Sequence, residues 1–123
     1  MLFACWGSEE RGPLLGAWAY TERPTFPLPR TVAVLNMDMV GRNEEVPVGG
    51  GPRFTGLEVQ TAESNRNAIN LLGYTRHPEL SAVVERVNAA GFGLELKRRY
   101  DNNRSNLLRR SDQWPFLQRG VTA

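Results

Sequence analysis

Three acidic residues follow two apolar runs in a pattern that could place them in one site. Glu9 and Glu10 come after the run Leu2–Trp6, and Asp38 ends a second run, Thr31–Met37. If both runs are parallel strands, their carboxyl ends meet at the sheet edge where ligands and metals are held. Carboxylates at that edge could bind a metal ion or transfer a proton. The alternative to a shared site is that Glu9 and Glu10 are a pair on a helix surface and that Asp38 is a turn or capping residue.

The elements that must position these carboxylates can be predicted from the same region. Met1–Trp6 is predicted to be a buried strand. Thr31–Met37 is β-rich and almost wholly apolar, which is typical of a central parallel strand buried on both faces. Between them, Leu14–Tyr20 is predicted to be a short helix that Pro24 ends. This β-α-β order favours a parallel pair with both carboxyl ends at one edge.

The middle of the chain predicts a long loop followed by a strand and a helix. Residues 41–67 are polar and rich in turn-forming residues, as in a functional loop or an insertion. Ile69–Gly73 is predicted to be a brief strand, and Pro78 to begin a helix. This helix carries an apolar stripe at helical spacing and is predicted to close at Gly91; the stripe consists of Leu80, Val83, Val84 and Val87.

The last third of the chain predicts one more strand and one more helix. Leu94–Tyr100 alternates as an exposed or edge strand with Glu95 and Lys97 outward. Gln113–Arg119 is predicted to be a helix that Ser111 or Asp112 caps and Gly120 ends, and Val121–Ala123 to begin a further strand. The order of elements indicates an α/β fold with a mixed or mainly parallel sheet. Residues 1–123 are predicted to form one small domain or part of a larger one.

Composition narrows the possible classes of protein. The chain has 41% hydrophobic and 23% charged residues, as in a globular protein, and no apolar stretch near the roughly 20 residues that span a bilayer. We expect no membrane partner. The N-terminus has no signal-peptide pattern. Cys5 is the single cysteine, which excludes an internal disulfide and a cysteine-based zinc site. His77, the single histidine, is predicted to be a capping or surface residue.

Basic residues are concentrated in the last third of the chain, which raises the possibility of nucleic-acid binding. Such grooves usually interleave aromatic with basic residues, and here only Tyr100 and Trp114 lie nearby. We expect a solvated face with arginines paired to carbonyls and carboxylates, and no nucleic-acid partner. The basic residues are Lys97, Arg98, Arg99, Arg104, Arg109, Arg110 and Arg119.

Four segments of the chain, in order, resemble the di-zinc aminopeptidases of metallopeptidase family twenty-eight. Phe3–Gly12 resembles the Glu-Glu motif of that family, and Val34–Arg42 its Asn-x-Asp-Met-x-Gly signature. Arg110–Phe116 and Gly120–Ala123 resemble its Ser-Asp-x-x-Pro-Phe segment and the Gly-Ile-Pro-Ala turn that follows. The resemblance implies a three-layer α/β/α di-zinc exopeptidase domain, of which residues 1–123 would be an internal part, with a peptide substrate.

The resemblance also implies a role for each of the three carboxylates. Glu9 would be the general base that takes a proton from the water between two zinc ions and passes it to the leaving amine. Glu10 would be a ligand of one zinc ion, and Asp38 a ligand of the other. Two zinc ions would lower the pKa of the shared water and stabilise the oxyanion. A carboxylate beside them that does not bind metal could carry the proton.

The chain departs from the family pattern in ways that limit these roles. The His and the bridging Asp of a His-x-Asp motif, and a late His ligand, have no counterpart in this sequence. Pro13 is an extra residue after the Glu-Glu motif, and Thr122 replaces the usual proline. Two carboxylates without a histidine cannot hold zinc tightly. We therefore expect little or no peptidase activity from this polypeptide alone.

Several alternatives stay open at the level of sequence. Carboxypeptidases and glutaminyl cyclases share the scaffold that the resemblance implies, so the type of reaction is not fixed. A truncated or degenerate module without catalytic function is the main rival, and nucleic-acid binding is a remote one. The resemblance favours a secreted or periplasmic location. Oligomeric state and side-chain preference cannot be predicted.

Overall fold

The computed structural model describes residues 1–10, 13–98, 100–101 and 107–123 of the chain. These residues form two compact units, Met1–Asp38 with Arg109–Ala123 (unit 1) and Met39–Leu108 (unit 2). The regular elements in chain order are α1 (Leu15–Glu22), β1 (Ala68–Asn70), α2 (Pro78–Val87), β2 (Glu95–Lys97) and α3 (Gln113–Gln118). Short 3-10 turns occur at Leu28–Arg30, Pro52–Phe54, Glu63–Asn65 and Leu107–Arg109.

Two of the predicted helices, α1 and α3, belong to unit 1. Helix α1 begins after Leu14, whose φ of 61° places it in the left-handed region, and it ends before Pro24, as expected. Helix α3 also forms where it was predicted and ends at Gly120, which adopts a φ of 76°. Neither Asp112, its N-cap residue, nor any other side chain makes a capping hydrogen bond to α3. The prediction that the side chain of Ser111 or Asp112 caps this helix is therefore wrong.

An aromatic cluster forms the core of unit 1. Phe116 of α3 packs between Trp6 and Tyr20, with ring centroids 5.7 and 5.8 Å from its own, and the centroids of Trp6 and Tyr20 are 5.0 Å apart. Ala17 of α1 and Val121 are buried in the same cluster. Because burial of aromatic surface is the main source of stability in so small a core, these contacts hold the N-terminal segment, α1 and α3 together.

The two apolar runs that predicted strands in unit 1 are not strands. Met1–Trp6 and Thr31–Met37 lie outside any ladder formed by the described residues, and much of their apolar surface is exposed, including Phe3 and Val32. Val34 N–H donates to Thr122 O at 2.8 Å, a backbone contact with the C-terminal segment that was predicted to begin a strand. An apolar run forms a strand only where a neighbouring segment pairs with its backbone N–H and C=O groups. The composition of the run does not show whether such a segment is present.

Gly16 fixes the segment that carries Glu9 and Glu10 against α1. The Gly16 N–H donates to Gly7 O at 3.1 Å. A Cβ atom added to Gly16 would lie 2.6 Å from Gly7 O and 2.8 Å from Gly7 N, closer than real Cβ atoms approach backbone. The close approach of the two backbone segments therefore requires glycine at this position.

Unit 2 contains a two-stranded parallel sheet, so the described residues combine helices with a small parallel sheet. Strands β1 and β2 pair in the register Ala68↔Glu95, Ile69↔Leu96 and Asn70↔Lys97. The strands predicted at residues 69–73 and 94–100 are both present but shorter. Gly73 adopts a φ of 84°, which ends the extended region after β1. Arg99, in the second predicted strand, lies outside the described residues.

Lys97 does not point to solvent as the alternation predicted. Its side chain is only 13% exposed. Its Nζ donates to Gln60 Oε1 at 3.2 Å and to Asn65 Oδ1, inside unit 2. Tyr100 is also buried, and its hydroxyl donates to Glu44 Oε2 at 2.6 Å. Period-2 alternation identifies two faces of a strand but cannot show that both faces will be covered.

Helix α2 begins at Pro78, as predicted, with His77 at its N-cap position. The predicted apolar stripe is only half covered, because Val83 and Val87 are exposed. The helix continues into a π-helical turn, Asn88–Phe92, and the left-handed residue that closes it is Gly93 (φ 61°) and not Gly91 (φ 175°). Within the part of the chain that the structure describes, no helix is both long and apolar enough to cross a membrane.

Candidate active site

Glu9 and Glu10 lie in unit 1 on the turn that follows Trp6. Ser8, immediately before them, adopts a left-handed φ of 59°, which turns the backbone at the end of the extended segment. Glu9 is half-buried and Glu10 is exposed. The adjacent residues Arg11 and Gly12 of the same motif lie outside the described residues. The two neighbouring carboxylates therefore differ in environment, one facing the protein and the other facing solvent.

Asp38 lies in the same unit and is held by a chain of hydrogen bonds. Ser111 Oγ donates to Asp38 Oδ2 at 2.5 Å. Asn36 Nδ2 donates to Ser111 Oγ at 2.9 Å and to Gln113 Oε1 at 2.8 Å. Ser111 and Gln113 are buried, whereas Asp38 is exposed. The hydroxyl predicted to cap α3 instead contacts a predicted metal ligand.

The pKa of Glu9 is raised above its ordinary value. Burial raises the pKa of Glu9, and the negative charges of Glu10, Asp38 and Asp112 raise it further, while the Arg110 guanidinium opposes them. Glu10, Asp38 and Asp112 are therefore close enough to Glu9 to influence its pKa, since charges interact only over short distances at physiological salt. Asp112 was not among the carboxylates singled out in the sequence.

Asp112 is the fourth member of this acidic cluster, Glu9, Glu10, Asp38 and Asp112. It is only 8% exposed, and its Oδ1 atom is buried without a hydrogen-bond partner. Burial raises the pKa of Asp112, and the charge of Asp38 raises it further. A buried carboxyl with an unpaired oxygen and a negative neighbour is stabilised by taking up a proton or by a nearby cation.

The acidic cluster fits a cation in charge and in donor type, but it does not complete a zinc site. Carboxylate oxygens are accepted ligands of zinc, and a positive charge would relieve the repulsion that raises the pKa of Glu9. Among the described residues, however, no three His, Cys, Asp or Glu side chains converge as a metal-binding group. His77 belongs to unit 2, where its Nδ1 lies 3.5 Å from Glu79 Oε1, and Cys5 is a free, exposed thiol.

The sequence pattern indicates no role in the site for Asn36, and it predicts Ser111 or Asp112 only as a helix cap. All three belong to segments that the resemblance covered, so their position in a motif was the available signal. Local patterns favour Ser and Asp before a helix as caps. The hydrogen bonds of Asn36 and Ser111 join residues more than 70 positions apart in the chain, and no local pattern contains that information.

The basic residues of the last third make contacts of the kind expected for a solvated, paired surface. Arg98 forms an ion pair with Glu85 and stacks on the Tyr74 ring at 4.8 Å. Arg109 stacks on the Trp114 ring at 5.0 Å. These contacts leave nucleic-acid binding an untested alternative. Arg99 and Arg104 lie outside the described residues.

A cavity of about 310 Å³ lies in unit 2 beside α2. Its lining includes Ser81, Glu85 and Arg98. The Glu85 carboxylate accepts hydrogen bonds from the Ser81 hydroxyl and the Arg98 guanidinium. Glu85 is thus neutralised by a cation within the cavity, whereas in the acidic cluster of unit 1 the neighbouring negative charges raise the pKa of Glu9 and Asp112. The acidic cluster is therefore the stronger candidate for chemistry.

Comparison with family models gives one match, the model described as Peptidase family M28, over residues 1–123. The chain therefore belongs to peptidase family M28. It is accordingly a peptidase, a hydrolase of the metallopeptidase class, in a family that is in general zinc-dependent. Comparisons with curated proteins and with solved structures found no significant match.

Proposed function

We propose that this chain contributes the general base and two carboxylate ligands to a zinc-dependent exopeptidase site of the aminopeptidase type. The observation that carries the proposal is the acidic cluster itself, in which Glu9, Glu10 and Asp38 are electrostatically coupled within one unit of a family M28 chain. The substrate is a peptide. The proposed parent architecture is the three-layer α/β/α domain, to which residues 1–123 contribute part, and the proposed location is secreted or periplasmic.

Glu9 is the proposed general base. It is half-buried beside the other carboxylates, and their charges raise its pKa. A higher pKa makes a carboxylate a stronger proton acceptor, which suits a group that must take a proton from water near neutral pH. In the proposed reaction Glu9 accepts a proton from the water that attacks the peptide carbonyl. It then donates that proton to the amine that leaves.

Glu10 and Asp38 are the proposed zinc ligands, one for each of two ions. Zinc, when bound, polarises the carbonyl and lowers the pKa of water. Asp38 is suited to a ligand role because Ser111 holds one of its oxygens while the side chain stays open to solvent. Glu10 is likewise exposed. The two side chains can therefore reach an ion without first being uncovered.

The incomplete ligand set leads us to propose that the 123-residue chain alone has little or no peptidase activity. Zinc sites in proteins use four ligands, and structural or catalytic sites of this kind almost always include histidine or cysteine. Within the described ranges no third ligand converges on the carboxylates. We therefore expect that purified chain with added zinc hydrolyses an aminoacyl-anilide no faster than zinc alone, and clear turnover would contradict this.

Zinc binding by a longer protein that carries this sequence together with the missing histidine ligands tests the ligand assignments directly. Competition with a chromophoric chelator gives the affinity for the metal alone. Glu10→Gln and Asp38→Asn should each weaken zinc binding by more than the roughly 10–100-fold that loss of a supporting residue costs. Glu58→Gln, an exposed glutamate in unit 2, is the matched control. Equal affinities for all four proteins would refute the assignment.

The role of Glu9 needs a protein that has activity. In a longer protein that carries this sequence with the missing histidine ligands, Glu9→Gln should abolish kcat and leave the zinc content unchanged. Loss of zinc together with activity would make Glu9 a ligand, and full activity would exclude it as the base. The substrates for this assay are an aminoacyl-anilide and an N-acetylated analogue, because only an aminopeptidase requires the free amine.

A second candidate function is a non-catalytic module that retains the fold without the chemistry. The absence of a converging third ligand among the described residues favours it. The two candidates differ in the neighbouring DNA. An upstream His-x-Asp and a downstream His in the same reading frame support the enzyme, whereas stop codons or replaced ligands support the module.

A further inference from the structure

The cavity beside α2 in unit 2 contains an ion pair with hydrogen-bonding capacity that is not used. Arg98 Nη2 donates to Glu85 Oε1, and Ser81 Oγ donates to the same oxygen at 3.5 Å. No side chain or backbone group of the described residues donates to Glu85 Oε2. The Nε of Arg98 is buried, and it too has no hydrogen-bond partner in the described part of the chain. The pair therefore keeps an acceptor and a donor for a further molecule.

Regular elements and an aromatic ring hold the two charged side chains in place. Glu85 and Ser81 lie one turn apart on α2, and Arg98 directly follows β2. The Arg98 guanidinium stacks on the Tyr74 ring, with its Cζ atom 4.8 Å from the ring centroid. A guanidinium that is stacked and ion-paired loses little further freedom when it binds a ligand, because its plane is already fixed.

The charges of the cavity lining indicate the class of ligand. The lining has one positive side chain, Arg98, and one negative side chain, Glu85. A simple anion would be repelled by Glu85 and a simple cation by Arg98, whereas a zwitterion is attracted by both. Because the two side chains are in contact, the opposite charges of the ligand must also lie close together. The ammonium and carboxylate groups of a free α-amino acid are separated by a single carbon atom and meet this requirement.

We infer that this cavity binds a free α-amino acid, with its carboxylate on Arg98 and its ammonium group on Glu85. The ammonium group donates to Oε2 and the carboxylate accepts from the unused N–H groups of the guanidinium. The Arg98–Glu85 ion pair stays in place, so neither charge is left buried and unpaired.

The size and the remaining lining of the cavity favour an aliphatic amino acid such as leucine. The volume of about 310 Å³ is at the lower end of the roughly 300–1,000 Å³ of ligand pockets. Pro78 and Ala82 contribute apolar surface that suits an aliphatic side chain. The cavity belongs to unit 2, so the inference does not rest on the proposed zinc site of unit 1.

The first test compares ligands by isothermal titration calorimetry with the 123-residue chain. L-leucine should show saturable binding at one site. L-leucinamide lacks the carboxylate, N-acetyl-L-leucine lacks the ammonium group, and ε-aminocaproic acid separates the two charges. Each should bind about tenfold or more weakly, which is the loss expected when a hydrogen bond to a charged group is removed. Absence of leucine binding, or equal binding of the four ligands, would overturn the inference.

The second test removes each charge of the cavity in turn. Arg98→Met and Glu85→Gln should each weaken leucine binding by about tenfold or more. The matched controls are Arg66→Met and Glu63→Gln, which remove the charges of an exposed ion pair in the same unit and should leave leucine affinity unchanged. Circular dichroism shows whether each variant is folded. Unchanged leucine affinity in a folded Arg98→Met or Glu85→Gln variant would overturn the inference.

The third test locates leucine on the wild-type chain and needs no substitution. In an NMR titration, leucine should shift the backbone amide signals of Thr75, Ser81 and Ala82, which line the cavity. The signals of Glu9 and Asp38 in unit 1 should not move. Shifts confined to unit 1 would place leucine at the acidic cluster and overturn the inference. Failure of the zinc-ligand assignments would leave the result of this titration unchanged, so the two proposals can fail separately.

Discussion

Replacing Phe116 by alanine removes the ring at the centre of the aromatic cluster in unit 1. Phe116 is 2% exposed and lies between Trp6 and Tyr20, with Ala17 and Val121 in the same buried cluster. Trp6 belongs to the segment that carries Glu9 and Glu10, and Phe116 belongs to the helix that follows Asp112. The substitution therefore loosens the contact between the two parts of the chain that supply the acidic cluster.

The expected loss of stability follows from the contacts of the ring. Truncation of a buried phenylalanine to alanine costs about 3–5 kcal/mol, including the cavity that is left. Each of the two ring pairs contributes about 0.5–1.5 kcal/mol beyond the area buried, which favours the upper half of that range. The free energy of unfolding of a protein domain is about 5–15 kcal/mol, so the variant loses a large fraction of its stability.

Urea unfolding followed by tryptophan fluorescence measures this loss, because Trp6 contacts the deleted ring. Phe116→Leu, with an expected loss of about 0.5–3 kcal/mol, provides a value if the alanine variant does not fold. Phe26→Ala is the matched control in the same unit, since Phe26 is 42% exposed. Equal destabilisation by Phe116→Leu and Phe26→Ala would refute this prediction, because burial of the ring would then not determine the loss of stability.

Three further substitutions test other parts of the structure by the same unfolding assay. Asp112→Asn should raise the free energy of unfolding at neutral pH, and the difference from wild type should shrink as pH falls toward the ordinary aspartate value near 3.8. Lys97→Ala should cost about 1–3 kcal/mol because it removes the donor to the buried Asn65 side chain, whereas Arg66→Ala, at an exposed ion pair, should cost less than about 1 kcal/mol. Gly16→Ala should lower the free energy of unfolding by about 1–3 kcal/mol, because the added Cβ atom meets backbone. Gly91→Ala, with open space around it, is the control.

The sign of the pH effect follows from the direction of the pKa shift. The pKa of Asp112 is higher in the folded chain than in the unfolded chain, so the folded state binds the proton more tightly. Ionised Asp112 therefore destabilises the fold above the folded pKa, and this penalty disappears as pH falls through the folded pKa to the unfolded value. A wild-type stability that falls relative to Asp112→Asn in that interval would contradict the shift.

The other two substitutions have equally direct contradicting outcomes. If Lys97→Ala and Arg66→Ala cost the same, the buried contacts of Lys97 contribute no more than an exposed ion pair. If Gly16→Ala stabilises the chain, the helix preference for alanine, about 0.8–1.0 kcal/mol, outweighs the steric conflict. The segment that carries Glu9 and Glu10 would then have room to move away from α1.

Helices proved the most predictable part of the fold, because their signals are local. Pro78 at the first turn, Gly120 after the last turn and Pro24 beyond α1 each act on neighbouring residues, and each marks a helix end in the structure. Strands were less predictable. Thr31–Met37 has the composition of a central strand, yet it makes no ladder within the described part of the chain, because pairing depends on residues far away in sequence.

The types and order of the carboxylates, and the family to which they belong, could be read from the residues alone. Glu9, Glu10 and Asp38 are chemically suited to hold a cation or move a proton in any fold that gathers them. Their surroundings depend on the tertiary structure, because hydrogen bonds and burial join residues that are distant in the chain. Folding adds Asp112 to the cluster and turns Ser111 from a predicted helix cap into the donor that holds Asp38.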